Sequence, residues 1–435
     1  MKNTVSARHG VPFVLRAYAG LSSCAALLTP MWLAHRVSKG KEDPNRLAER
    51  RGYASQARPR GPLVWVHGAS VGEIISVLPL TECLVERGFT CLITSGTLTS
   101  SRIVERRGHS ALIHQFIPLD APRFVSRFLD HWRPDLALIA ESEVWPNLFM
   151  HLGRRAIPLA MVNARLSQRS ADRWARLPGA ARALLGRADI TLAQTPDDAR
   201  RLKALGAPRV EVTGNLKFDV PPPPADPTVL SALARRIGTR PILLAASTHP
   251  GEEGIVIAAH LRLREALPGL LSVIVPRHPE RGAQVRQEAE TAGLRALQRT
   301  ADTLPGALTE IYVADTIGEL GLFYRLAPVV FMGGSLVRHG GQNPIEAAKL
   351  GAVVVHGPHV WNFGSLYNHL DQQGGAVPVS GEDDLVAAIL AQYANRDLHA
   401  RTAQAALRTT TTLGGALERT LSAIEPYLVQ LRLGT

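Results

Sequence analysis

Trp65-Val-His-Gly-Ala-Ser-Val-Gly-Glu73 carries an apolar strand straight into a glycine turn and then a helix. Pro62-Leu-Val-Trp-Val66 reads as a buried strand, and residues from Ile74 to Arg87 bring apolar side chains round at helical spacing. In α/β folds, ligands gather at the loops that leave the C-terminal ends of strands, so the chemistry is expected to begin here. The corner has two readings. Gly68-Ala-Ser-Val-Gly72 fits a nucleophile elbow, with Ser70 exposed on a tight strand–turn–helix. Alternatively Glu73, in the first helical turn, is a positioned general base and Ser70 only caps the helix.

Working outward, strand-like runs alternate with helices. They include Cys91–Thr94, Leu136–Ile139, Leu159–Val162 and Val210–Thr213, then Ile242–Ala246, Leu271–Val275, Ile311–Ala314, Val329–Met332 and Ala352–Val355. Continuous apolar strands separated by helices predict parallel sheets covered on both faces. Between the two sets stands Val220-Pro-Pro-Pro-Pro-Ala-Asp-Pro227, a stiff, extended linker. A chain of 435 residues exceeds one typical core, so two domains are expected. The expected boundaries are an N-terminal anchor and basic segment at 1–42, a first Rossmann-like domain at 43–219 and a linker at 220–228. A second Rossmann-like domain follows at 229–410, and a last helix at 411–435 is expected to pack back across the linker. This is the GT-B layout, with parallel sheets facing a central cleft that holds the ligand.

Composition narrows the partners. Hydrophobic residues make up 46% and charged residues 20%, as in a well-folded globular body. Cys24, Cys83 and Cys91 have no CxxC spacing and read as reduced thiols of a cytosolic compartment. Residues 1–60 hold eleven Lys/Arg against three acids, and the net charge of the chain is +12. Those charges flank one apolar segment, Ala17 to His35, about the length of a short spanning helix. The basic flank is heavier on its C-terminal side, which places the body in the cytoplasm if the segment spans. If it lies flat, an apolar helix with a basic collar still binds anionic lipids of a membrane surface. Nucleic acid is excluded as a partner by the lack of any nucleic-acid motif and by an aromatic content of 5%.

The second half repeats one kind of corner. Ser247-Thr-His-Pro-Gly-Glu-Glu253 and Asp315-Thr-Ile-Gly-Glu-Leu320 each follow a strand, with Ser or Thr able to cap and Pro250 suited to an early helical position. Gly333-Gly-Ser-Leu-Val-Arg-His-Gly-Gly-Gln-Asn-Pro-Ile-Glu346 puts two glycine pairs ahead of a helix, with Asn343 at N-cap, Pro344 at N1 and Glu346 at N3. One such corner is ordinary capping; several in one α/β unit point to phosphate, which exposed N–H groups and the helix dipole favour. Pro276-Arg-His278 adds a cation at a strand end. His356, His359 and His369 share no carboxylate at metal-binding spacing, no lysine follows the glycines as in a P-loop, and no GxGxxG follows a strand. No metal and no cofactor are expected.

These motifs carry a resemblance. HGASVGE with Glu73, Thr94–Ser100, Glu141-Ser-Glu-Val-Trp-Pro-Asn147, Asn163–Ser167, Gly214–Asp219, STHPGEE, PRHPER and GGSLVRHGGQNPIEA together resemble the Kdo transferases of Gram-negative lipopolysaccharide synthesis. The likeness runs from about Asp43 to Phe363, and the N-terminal apolar segment corresponds to that family's membrane anchor. One departure is Gln342, where histidine is expected in GGHNP.

The resemblance implies an inverting glycosyltransferase that moves 3-deoxy-D-manno-oct-2-ulosonic acid (Kdo) from CMP-Kdo to the phosphorylated disaccharide lipid A precursor, lipid IVA. It implies work at the cytoplasmic face of the cell inner membrane, beside its anionic lipids. Glu73 becomes the general base; Glu141 or Glu143 and Lys217 become transition-state or acceptor-site residues. Pro276, Arg277, Ile317, Gly318, Glu319, Asn343, Pro344, Ile345 and Glu346 become the CMP contacts, with Arg277 on the leaving phosphate and Glu346 on the ribose. The resemblance favours Glu73 over Ser70, because an elbow nucleophile also needs an acid and a histidine downstream in order. A GT-B enzyme with another donor or acceptor, and an anchored nucleotide-binding scaffold, are the rival readings.

Overall fold

The computed structural model describes residues 11–301 and 303–433. The chain forms two units, one from the residues up to Val220 together with those from Gly414 onward, the other from Pro221–Leu413.

The first unit is built on seven parallel strands: β1 (Leu63–His67), β2 (Thr90–Ser95), β3 (Leu112–Phe116), β4 (Leu136–Ala140), β5 (Leu159–Ala164), β6 (Ile190–Ala193) and β7 (Val210–Val212). Their order is β3-β2-β1-β4-β5-β6-β7, with Trp65 level with Leu92 on one side and Ala137 on the other. Every residue of β1 and β4 is buried, which is what helices on both faces demand of a parallel strand. On one face Trp65 packs on Phe128 at 4.9 Å between ring centroids, with Trp132 and Phe149 beside them. On the other, Val64, Val66 and Leu80 meet Leu421, Ile424 and Leu428 of the last helix, Ala416–Leu433. The Asp219 carboxylate fixes that helix by accepting from the N–H groups of Gly415 (2.6 Å) and Leu417 (2.7 Å).

The second unit repeats the plan with β8 (Ile242–Thr248), β9 (Leu271–Pro276), β10 (Ala296–Gln298), β11 (Ile311–Val313), β12 (Val329–Met332), β13 (Val353–His356) and β14 (Ala376–Pro378). The order is β10-β11-β9-β8-β12-β13-β14, again all parallel. In each sheet the strand order reverses beside the first strand, between β1 and β4 and between β8 and β12. A crevice opens at such a switch point, because the flanking connections run off in opposite directions.

Ahead of the first sheet come a helix Phe13–Ala25, a 3₁₀ turn Ala26–Leu28 and a second helix Thr29–Ser38. Among the described residues this is the one run long and apolar enough to cross a membrane, and it extends past both ends of the segment read from sequence. The first of the two helices packs on Pro122–Trp132 and Pro146–Arg154 of the first unit.

Candidate active site and nucleotide corners

At the first switch point, β1 delivers Gly68–Glu73 and β4 delivers Glu141 and Glu143. Ser70 caps the helix Val71–Glu86 with its side chain, accepting from the Glu73 N–H, so the capping reading of this serine is the observed one. The Glu73 carboxylate turns back over the same turn. Oε2 accepts from the Ala69 N–H at 2.8 Å and Oε1 from the Ser70 hydroxyl at 2.8 Å. This is a variant of the capping box in which the carboxylate reaches the N–H one residue before the N-cap. Burial pushes the Glu73 pKa up, the two hydrogen bonds pull it back down, and the nearby charges of Glu141 and Glu143 push it up again. The turn is tight at Gly68, where a Cβ would lie 3.1 Å from the Glu73 side chain and from Ile74.

Glu141 sits in the left-handed region (φ 52°), a conformation a non-glycine residue adopts at a cost of about 1–3 kcal/mol. Its carboxylate receives the Lys217 ammonium at 2.9 Å. Glu143 instead accepts from the Trp145 indole N–H at 2.6 Å. The two glutamates, equivalent in sequence, therefore differ: one is paired with a cation and the other with an aromatic donor.

Lys217 lies in a 3₁₀ turn, Leu216–Phe218, capped by the Asn215 side chain. A second asparagine holds that turn from the sheet: Asn163 Oδ1 accepts from the Leu216 N–H at 3.0 Å. Asn163 is itself left-handed (φ 52°), fully buried, and its amide nitrogen has no partner. The Asn163–Ser167 motif carries no assigned role for Asn163 in the sequence. Its signal was an asparagine at a strand end, where this residue type tolerates positive φ. His67, also unassigned from sequence, is buried beneath the corner, 2.9 Å from Thr94 Oγ1 and edge-on to Trp145. Burial lowers its pKa to about 4, so the ring is neutral.

At the second switch point the glycine-rich corner differs from its sequence reading. The Glu252 carboxylate occupies the cradle, accepting from the N–H groups of His249 (2.9 Å), Gly334 (2.7 Å), Ser335 (3.0 Å) and Leu336 (3.0 Å). Those donors, read as phosphate ligands, are satisfied from within. Gly333 is required because a Cβ would meet the Ser247 carbonyl oxygen at 2.3 Å. Ser247 is left-handed (φ 55°), and the helix Glu252–Ala266 begins after left-handed Gly251, so Pro250 stands outside the helix. Thr248 donates to Glu253 at 3.0 Å instead of capping.

The CMP candidates fall into three groups in this unit. Pro276 ends β9, and Arg277 is exposed just beyond it. Ile317, 78% exposed, and left-handed Gly318 precede Glu319. The Glu319 carboxylate is held by both arms of Arg299 and by the Thr316 hydroxyl, and Arg299 lowers its pKa. Thr316 therefore braces Glu319 and does not cap the helix Leu320–Leu326. Asn343 Oδ1 accepts from the Ile345 N–H (3.1 Å), and the short helix Ile345–Lys349 starts after Pro344, one residue later than the sequence pattern implied. Burial raises the pKa of Glu346. Gln342, the departure from the expected histidine, reaches His249 with Nε2 at 3.0 Å from the ring Nε2.

Two doubly wound units, each with its polar loops at the switch point of a parallel sheet, are the GT-B architecture. In fold the chain is similar to a glycosyltransferase from Rickettsia africae, with a TM-score of 0.57 and 12% identity, covering 85% of this chain and 99% of that one. Residues 45–220 match the family described as 3-deoxy-D-manno-octulosonic-acid transferase (kdotransferase). The 3-deoxy-D-manno-octulosonic acid transferase of Haemophilus influenzae is 34% identical over 399 residues, 88% of this chain and 91% of that protein. The one from Bordetella pertussis is 36% identical over 413 residues, 92% and 96% of the two chains. The chain belongs to the 3-deoxy-D-manno-octulosonic acid (Kdo) transferase family and is an enzyme of lipopolysaccharide synthesis.

Proposed function

We propose that this enzyme transfers Kdo from CMP-Kdo to the phosphorylated lipid A precursor, lipid IVA, with inversion, at the cytoplasmic face of the inner membrane. The observation that carries the reading is the Glu73 carboxylate, fixed at a helix start by Ala69 and Ser70 with its pKa raised. A base of raised pKa is better matched to a sugar hydroxyl than an ordinary carboxylate. Glu73 takes the proton of the acceptor hydroxyl as its oxygen bonds to the anomeric carbon of Kdo. The bond from that carbon to the CMP phosphate oxygen breaks on the opposite side, and CMP leaves with the electron pair. Lys217, held by Glu141, supplies positive charge to the anionic acceptor, and Glu143 shapes the acceptor site through Trp145. Arg277 meets the leaving phosphate. Glu346, whose pKa burial raises, pairs with ribose hydroxyls, while Pro276, Ile317, Gly318, Glu319, Asn343, Pro344 and Ile345 form the rest of the nucleotide site. Because Glu319 is already bound to Arg299, its backbone is the part offered to the nucleotide.

The reading is supported by membership of the Kdo transferases and by the basic, apolar N-terminal segment, which suits an anionic lipid substrate. The test is transfer from CMP-Kdo, generated in situ, to the tetra-acylated precursor, with products weighed by mass spectrometry. A mass gain in steps of one Kdo, absent with Glu73→Ala and retained with Ser70→Ala, is the expected result. Retention with Glu73→Ala and loss with Ser70→Ala would overturn the assignment of the base. No gain with wild-type protein would direct the search to another donor or acceptor.

A further inference from the structure

The N-terminal helices touch the first unit along their whole length, and always with the same face. Residues Leu15, Ala19, Ser22, Ala26, Thr29, Leu33 and Arg36 are buried or half-buried, a three- and four-residue spacing that keeps one stripe on the body. The contacts are specific. Leu15 joins the apolar core around Trp65 and Leu148. Ser22 Oγ accepts from Asn147 Nδ2 at 3.0 Å, and Tyr18 bonds to Asp120, whose carboxylate also caps the helix Pro146–Arg154 through the Asn147 and Leu148 N–H groups. Thr29 and Trp32 wall an apolar cavity of about 440 Å³ together with Leu119 and Phe124. At the far end Arg36 binds Glu42 at 2.8 Å, and Glu42 binds buried Arg50, which donates to the Ile117 carbonyl at 3.2 Å.

From Leu15 to Arg36 the helical path is about 30 Å, roughly the hydrocarbon thickness of a bilayer. A spanning placement would drag the touching elements through the hydrocarbon, including Asp120 and a helix bearing Arg123, Arg127 and Asp130. Charged groups there are costly. The opposite face of the helices is the apolar one: Phe13, Leu21, Leu27, Leu28 and Met31 are 60–77% exposed. Arg16, Lys39 and Lys41 stand at its two ends.

We infer that Phe13–Ser38 does not cross the membrane but lies in the plane of the anionic leaflet, with Leu21, Leu27 and Met31 in the acyl boundary and both ends on the cytoplasmic side. The occupant of the apolar face is the bilayer surface: basic residues at both ends of one apolar stripe match an anionic headgroup layer. The inference rests on the membrane location proposed above and replaces a spanning anchor with an interfacial one.

The test uses the full chain with Cys24→Ser and Cys83→Ser, and a single added thiol at Arg16→Cys or Lys39→Cys, probed with a membrane-impermeant maleimide. Spheroplasts expose the outer face and inverted vesicles the inner one. Both positions are expected to label in inverted vesicles and to lose labelling in spheroplasts. Labelling of Arg16→Cys from outside, or only after detergent, overturns the interfacial placement while leaving membrane association intact. Recovery of the chain in the soluble fraction instead overturns the membrane location on which the inference rests. Retained Kdo transfer by each variant in detergent checks that the added thiol has not unfolded the protein.

Discussion

The two switch points of this enzyme use a carboxylate at a helix start in opposite ways. In the first unit Glu73 accepts two local hydrogen bonds and remains partly accessible, with its pKa raised. In the second, Glu252 is fully buried and accepts four backbone N–H groups drawn from two loops. The same side chain is the proposed base in one place and a buried acceptor for the chain's own amides in the other. What separates them is how many donors converge on each. A glycine corner that gathers N–H groups creates an anion site, but the chain itself can supply the anion.

The comparison breaks most severely at Glu73. Glu73→Ala is expected to lower kcat by at least about a hundredfold, the scale of a lost general base, with a melting temperature lowered only modestly, by the loss of its two helix-start hydrogen bonds; loss of activity only in proportion to loss of folded protein would make Glu73 structural. Glu252→Ala should do the reverse. It strands four buried donors, and a loss of about 3–5 kcal/mol in folding stability is expected, read from thermal or denaturant melts. A variant that keeps its stability and gains affinity for inorganic phosphate would mean the cradle serves ligands after all.

On the membrane face, Leu27→Glu with Met31→Glu should cut vesicle binding by about tenfold or more per residue, given about 1.5–3 kcal/mol for each buried apolar side chain. Co-sedimentation with anionic vesicles measures this. Two smaller effects sharpen the first switch point through pH. Glu73 must be ionised to act, so kcat/KM rises with pH through its raised pKa. Glu141→Gln removes a negative charge that opposes that ionisation, so the acidic limb moves to lower pH. Ser70→Ala removes a hydrogen bond that favours it, so the limb moves to higher pH. Limbs that move the other way would take Glu73 out of the profile.

Local features were legible in the sequence. The strand–turn–helix at Leu63–Glu86 follows from an apolar run, a glycine turn and a serine cap, each within a few residues of the next. Partnerships across the chain were not. Nothing in PGEE says that Glu252 will fill a loop some eighty residues away, or that Glu141 will choose Lys217 and leave Glu143 to Trp145. Those choices depend on which strands the topology makes neighbours, and on left-handed residues such as Asn163 and Ser247 that no hydrophobic period announces. The caps at Thr316 and Thr248 are absent because the helices start further along the chain, at Leu320 and Glu252, and each hydroxyl instead donates to a nearby carboxylate.

The final helix gives the chain an unusual order of assembly. Ala416–Leu433 closes one face of the first sheet, and the Asp219 carboxylate waits almost two hundred residues for the amides of Gly415 and Leu417. During synthesis the second unit, Pro221–Leu413, has all its strands before that helix emerges. The unit made first is therefore the unit finished last. Until then Val64, Val66 and Leu80 lack their cover, and a nascent chain halted near Leu413 presents that bare apolar face to chaperones and proteases.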